Sequence, residues 1–412
     1  MIVYIADRIK RRLENNWIQF LNTNSARLSS CSIEGATPPS VFVGRYGYPK
    51  VKLGPMVPPI HGDTAIMDKP EMWSGKSIEE IIGYRLSLVR GVVNSDIHTP
   101  SGRYIESLQE LAMADEPAES EATFEKSPIP DIEQLRKNGP DIESPPFGPA
   151  AHLRSFKTSS SIKVDRRLED AYYDKDLQAK NAIVSLYDKG IDISTIQRIF
   201  SLGMLGSAKK RRLVPTRWSI SATDDVISSY LVKSTKTNYV VDYFEVYKYS
   251  HLGNYYSIIL IPDQVWSFEM LEAWFGQSGD LGFAVDFEDA NGLQQYPSSV
   301  AGAYFAAKLA VAEHLFKRKR KAAALVLREI HSQEYVVPLG VWQIREGIRQ
   351  AFHDKTFLKK EFESLGAAYK YACSSLSVSE TEWEKNSKLY RNLKRSQSRI
   401  SQFFPGMLRE HL

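Results

Sequence analysis

The segment PTRWSISATDD (215–225) gathers the side chains best equipped for chemistry in this 412-residue chain. Thr216, Arg217 and Trp218 offer a guanidinium and an indole to an anionic or planar ligand. Asp224 and Asp225 have the chemistry to hold a metal or to act as a general base. The plain alternative is capping, with Thr223 as N-cap and both aspartates in the first turn against the helix dipole. Asp63, in HGDT, is a third loop carboxylate with no evident structural duty. If it met Asp224 or Asp225 in space, a two-metal or acid–base site would follow. GRYGYPK (44–50) sets Arg45, Tyr46 and Tyr48 between glycines. A loop of that kind stacks on a base or clamps a backbone, as GxxG loops do in single-strand binders. It also reads as a hairpin turn whose glycines supply positive φ.

No familiar catalytic motif accompanies these groups. The eight histidines form no HxxxH or similar pair, so no histidine metal site is expected. There is no Walker lysine loop, no GxSxG, and no GxGxxG after a strand, so no cofactor is named. The two cysteines, Cys31 and Cys373, make neither a disulfide framework nor a CxxC site. The basic runs KKRR (209–212) and KRKRK (317–321) have the charge for phosphate contacts, the second equally that of a solvated helix end.

The C-terminus holds a different pattern. Gln397, Ile400, Phe403 and Phe404 stand at Q-x-x-aliphatic-x-x-aromatic-aromatic spacing. Ile400, Phe403 and Phe404 fall at i, i+3 and i+4, so one helical or 3₁₀ turn puts all three on one face. Pro405 ends such a turn. The result is an apolar plug for a groove, with Gln397 free to hydrogen-bond at its rim. From average residue usage the pattern arises by chance in on the order of one chain in fifty of this length. It resembles the PCNA-interacting peptide carried by clients of the sliding clamp, and the resemblance implies that clamp as partner. Between Lys385 and Arg399 lie bases and no acid, which suits a tail near nucleic acid.

The elements that must position these groups read as an α+β fold with a flexible C-terminal tail. Helices and antiparallel hairpins mix without regular βαβ alternation. Residues 1–112 form an N-terminal region with a Gly/Pro-rich hairpin loop. Apolar residues from Ile5 to Leu21 recur there at helical spacing, Val41–Val43 and Val51–Leu53 pair as strands, and 77–91 form a helix from Ser77 to Gly91. Residues 113–160, acidic and rich in Pro and Ser, read as a linker or excursion. A central α+β region (161–296) holds helices near 164–189 and 194–205 and a hairpin of Asn238–Tyr249 with Tyr255–Ile261. In QVWSFEML, Trp266 reads as a packing residue and Glu269 as a surface residue. A C-terminal helical region (297–376) and the basic tail (377–412) complete the chain.

With 43% hydrophobic and 25% charged residues and a formal charge of +4, the chain has ordinary globular composition. Without a membrane-spanning run or a signal layout, the expected setting is cytoplasmic, at the nucleoid, with no membrane partner.

Five long blocks carry a further resemblance: PPSVFVGRYGYPKVKLGPMVPP (38–59), GDTAIMDKPEMW (62–73), KSIEEIIGYRLSLVRG (76–91), LVPTRWSISATDD (213–225) and VPLGVWQIREGIRQA (337–351). In this order they resemble the archaeal Nre family of DNA repair proteins. The resemblance implies a role in tolerating DNA damage, with the clamp as partner, and DNA is the further partner expected. Some members carry a four-cysteine zinc module; Cys31 stands alone here, so no structural zinc is expected. Three functional classes remain open. One is a clamp-tethered factor whose core binds DNA or a repair partner; another is an enzyme of nuclease or ADP-ribose chemistry delivered by the clamp; the third is a pure adaptor with no ligand in its core.

Overall fold

A computed structural model describes residues 30–98, 100–128, 148–158, 162–275, 280–331, 334–335, 339–353 and 359–403, with side chains as far as Arg395. The expected helix over Ile5–Leu21 lies outside them. The chain divides into two compact units, Met1–Ile227 with Val336–Gly340, and Ser228–Tyr335 with Val341–Leu412. The fold is α+β.

Unit 1 begins with β1 (Ser32–Thr37), β2 (Val41–Val43) and β3 (Lys50–Val57). Helix α1 (Ile78–Leu86), β4 (Val89–Asp96), α2 (Arg103–Ala112), β5 (Ala118–Phe124) and β6 (Ala150–Thr158) follow. The strands make one sheet in the order β1-β5-β6-β4-β3-β2, with β4 and β6 parallel. The expected β2–β3 hairpin forms, with Val43 opposite Leu53. Gly54 lets β3 and β4 pass closely: a Cβ there would lie 1.7 Å from the Gly91 carbonyl oxygen.

Helix α1 starts where the sequence places it, with Ser77 and Glu80 in a reciprocal capping box. It stops at Leu86 and not at Gly91, because Val89, Val92 and Val93 are β-branched and join the sheet as part of β4. The segment read as a linker also holds structure. In β5, Ala118, Ser120, Ala122 and Phe124 point inward while Glu121 faces out, a period of two hidden by the acidic composition. Residues 129–147 lie outside the description. Helices α3 (Arg166–Tyr173), α4 (Ala179–Asp188), α5 (Ile193–Ser201) and α6 (Thr216–Ser234) follow, and the division between units falls within α6.

Unit 2 carries a second sheet. Its elements are β7 (Tyr239–Val240), β8 (Phe244–His251), β9 (Asn254–Ile261), β10 (Phe268–Phe275), β11 (Leu281–Glu288), α7 (Gly302–Arg318), β12 (Arg320–Lys321), β13 (Ala323–Ile330), α8 (Trp342–His353), β14 (Lys360–Phe362), α9 (Leu365–Cys373), α10 (Glu380–Asn386) and α11 (Lys388–Phe403). The main sheet runs β11-β10-β13-β9-β8-β14. Both faces are covered. Ile258, Leu260, Met270 and Val326 pack with α7 and α8, while Ile259, Ile261, Leu271 and Leu327 pack with α9, Trp383 and Tyr390. That explains why β9 and β13 read as continuous apolar runs.

Two glutamates from this sheet are wholly buried. Glu269 accepts hydrogen bonds from the Ser387 hydroxyl (2.5 Å) and from the backbone N–H of Lys388 (2.7 Å) and Leu389 (3.1 Å). The sequence reading of Glu269 as a surface residue is therefore wrong: its carboxylate caps the start of α11. Burial raises its pKa, while these donors and Arg391 hold it down. Glu329 accepts in the same way from the N–H of Ser377 and Val378, both at 2.9 Å. Trp266 is half-buried, stacked on Phe268, with its indole N–H donated to Glu288.

Replacing Glu269 with Ala should strand the buried donors of Ser387 and Leu389 and the part-buried N–H of Lys388, and lower unfolding stability by about 3 kcal/mol in urea titration, with Glu269→Gln costing less because its amide oxygen still accepts. Burial pushes the Cys373 thiol up to about 12. Cys31 is exposed. Iodoacetamide at pH 8 should therefore label Cys31 in the native protein and reach Cys373 only after denaturation, as read by mass spectrometry.

Candidate nucleic-acid interface

The turn between β2 and β3 and the start of α6 meet in unit 1. Gly47 takes φ of +85°, and a Cβ there would lie 2.7 Å from the Lys50 carbonyl oxygen, so the turn requires glycine. The Lys50 N–H donates to the Gly47 carbonyl (2.9 Å) and that of Gly44 to Lys52 (2.7 Å). A cis peptide joins Tyr48 to Pro49.

Three backbone and side-chain links fix this turn to α6. The Pro49 carbonyl accepts from Ile97 N–H (3.1 Å), and the Ile97 carbonyl accepts from Leu213 N–H (2.9 Å). The Thr216 hydroxyl, at the first turn of α6, accepts from the Val43 N–H at 2.9 Å. Thr216 also lies 3.4 Å from the Ser201 hydroxyl, which donates to the Val214 carbonyl at 2.6 Å. The outcome is an aromatic contact: the Tyr48 and Trp218 rings stand 5.2 Å apart, tilted by 54°. Tyr46 is 78% exposed, Tyr48 50% and Trp218 46%. Arg45 lies over the Tyr46 ring at 5.0 Å and donates to its hydroxyl at 3.2 Å. Arg217, Lys50 and Lys52 are exposed.

The aspartates behave differently. Helix α6 begins at Thr216, with the Pro215 carbonyl accepting from Trp218 N–H (2.8 Å) and Ser219 N–H (2.9 Å). Thr223, Asp224 and Asp225 therefore sit in mid-helix, and the capping reading is corrected. Thr223 and Asp224 are fully enclosed, and Asp224 accepts from Gln197 Nε2 at 2.9 Å. Asp225 is half-buried. Asp63 is exposed, and its carboxylate accepts from Ala65 N–H at 3.0 Å, holding its own turn. Among the described residues no group of three or more His, Cys, Asp and Glu is placed to hold a metal.

The basic runs are engaged within the protein only in part, and Lys209, Lys210, Arg212, Lys317 and Lys319 are exposed. Arg211 donates to the Gly206 (2.8 Å) and Tyr172 (2.7 Å) carbonyls. Arg318 makes an ion pair with buried Glu245 at 2.5 Å. Of the clamp-type peptide, Gln397, Ile400 and Phe403 lie on the backbone of α11, but their side chains, and Phe404 entirely, fall outside the described residues.

Sequence reasoning missed a cavity of about 190 Å³ in unit 1, lined in part by Pro38, Ser40, Asp68, Arg167 and Arg198. Three of its four carboxylates are matched to cations: Asp68 to Arg85 (2.6 Å), Asp165 to Arg167 (2.5 Å) and Asp192 to Lys69 (2.7 Å). Arg198 donates instead to the Ala112 carbonyl (2.9 Å) and the Thr195 hydroxyl (3.3 Å). Burial lowers its pKa to about 10, against the pull of Asp68, Glu71 and Asp192, so it stays charged at neutral pH. Separate stretches of chain build this cavity, and no local spacing announces it.

The model of the archaeal Nre N-terminal region matches residues 13–279, and that of the C-terminal region matches 288–403. The chain belongs to the archaeal Nre family. Within that family, it is 36% identical to the DNA repair protein NreB of Archaeoglobus fulgidus over 362 residues, 87% of this chain and 88% of the relative. The DNA repair protein NreA of the same organism is 35% identical over 353 residues, 84% and 85% of the two chains. NreA of Haloferax volcanii is 35% identical over 361 residues, 84% of each. No solved structure matches. Among the described residues of this Nre chain, no helix is long and apolar enough to cross a membrane.

Substitutions should separate the two kinds of candidate residue. Asp224→Ala should leave Gln197 without its buried partner and lower stability by about 1–3 kcal/mol, whereas Arg217→Ala, at the surface, should stay within about 0.5 kcal/mol. Equal melting temperatures for the two variants would contradict the burial of Asp224.

Proposed function

We propose that this chain is a DNA repair factor brought to DNA by the sliding clamp PCNA, which it grips through Gln397, Ile400, Phe403 and Phe404. The spacing of those four residues is the observation that carries the reading. It makes a one-turn apolar plug of the kind a clamp groove accepts, and it follows a stretch of bases without an acid. Supporting it, the Nre relatives aligned over most of the chain are named DNA repair proteins. The setting that follows is the cytoplasm, at the nucleoid.

The core then serves as a DNA-binding body, with Arg45, Tyr46, Tyr48, Arg217 and Trp218 as its contact. The enzymatic alternative, a nuclease or an ADP-ribose enzyme carried to the same place, draws its support from Asp63, Asp224 and Asp225. The enclosure of Asp224 in α6 weighs against it, since a substrate cannot reach a side chain with no exposed surface.

The test is capture by immobilised clamp. A short peptide plug should give a dissociation constant on the order of micromolar. Phe403→Ala combined with Phe404→Ala should abolish capture and leave the melting temperature of the core unchanged. Undiminished capture by that variant would sink the clamp reading.

A further inference from the structure

We propose that Tyr46, Tyr48 and Trp218 form a stacking platform for the unstacked bases of single-stranded DNA. This deepens the repair reading and rests on it. The platform's form favours a polymer over a small ligand. Small-molecule sites enclose most of their ligand, whereas these rings stand out from the surface, with Tyr46 78% exposed. The cavity of unit 1 is lined by none of them. Large aromatic groups held in water and near one another call for a partner that covers them.

Charge chooses that partner. Arg45 belongs to the turn itself, and Arg217 precedes Trp218 in α6. Lys50 and Lys52 alternate with buried Val51, so both project from the same exposed side of β3. Asp96, opposite Lys50 in the sheet, has a carboxylate oxygen engaged by the His98 N–H at 2.9 Å. A protein partner with an apolar face would cover the rings but leave the cations unanswered. A nucleic acid answers both, with π-faces for the rings and phosphates for the cations.

The choice between single strand and duplex follows from geometry. In a duplex the faces of interior bases are already stacked, so exposed aromatic side chains reach them only where the strand is open. Base-edge readout in a groove would need a protruding helix or ribbon that sets hydrogen-bonding side chains in the groove, whereas the groups brought together here are the Tyr48 and Trp218 rings. The platform is also preorganised: the Val43–Thr216 bond and the constrained Gly47 turn hold Tyr48 against Trp218 before any ligand arrives.

Fluorescence anisotropy on the full chain tests this, with a labelled oligothymidylate and a blunt duplex of equal length at several salt concentrations. The single strand should bind more tightly. Tyr48→Ala and Trp218→Ala should each weaken it about tenfold or more. Tyr48→Phe and Trp218→Phe should retain affinity, which a loss through misfolding would not allow. Arg45→Ala and Lys50→Ala should each reduce the slope of log affinity against log salt by about 0.7. Equal or tighter duplex binding, or alanine variants that bind as the parent does, would overturn the platform. Clamp capture is measured on the same variants. Persisting capture with no DNA binding defeats the platform alone, and lost capture in the parent with intact strand binding defeats the clamp reading alone.

Discussion

A carboxylate removed from water has to find donors in the protein, because an unanswered buried charge costs several kcal/mol. In unit 2 that demand organises the end of the chain. Glu269, on a central strand, finds the Ser387 hydroxyl and the first amides of α11; Glu329, on the neighbouring strand, finds the amides that lead into α10. The Lys388 and Leu389 amides are groups that a helix start leaves unpaired, and the Ser377 and Val378 amides lie just ahead of the α10 cap at Ser379. Each partner thus answers the other's deficit, and the C-terminal helices are seated by charge as well as by the packing of Trp383 and Tyr390.

Unit 1 solves a related problem with a neutral group. The edge strand β2 has an unpaired N–H at Val43, and the Thr216 hydroxyl of α6 accepts it. A sheet edge is an open row of donors and acceptors. Closing it with a helix residue ties the hairpin turn to the side chains that follow Thr216, so the meeting of Tyr48 with Trp218 follows from satisfying a backbone donor.

Much of this was legible in the sequence where one signal dominated. Alternation and glycines gave the β2–β3 hairpin, and Ser77 with Glu80 gave the start of α1. Legibility failed where composition hid pattern. The glutamates of β5 made a strand look like a linker although its inward positions alternate cleanly. Thr223-Asp224-Asp225 has the composition of a helix start, yet the turn begins at Pro215 and places two of the three in the interior. Glu269 looked like the solvent face of a strand because nothing local reveals that a helix from far along the chain covers it. Within the candidate interface, residue types marked Tyr48 and Trp218 separately, but only the hydrogen bonds through Ile97 and Thr216 bring them together.

One consequence of the seated helix concerns reach. Helix α11 spans Lys388–Phe403 and starts at the Glu269 carboxylate. At about 1.5 Å per residue its 16 residues make a strut roughly 24 Å long. A body gripping the far end of such a strut is held at a set standoff and in a set direction from the sheet, where a loose tether would let it wander through a sphere. The chain therefore has the makings of a bracket, seated where Ser387, Lys388 and Leu389 meet the Glu269 carboxylate.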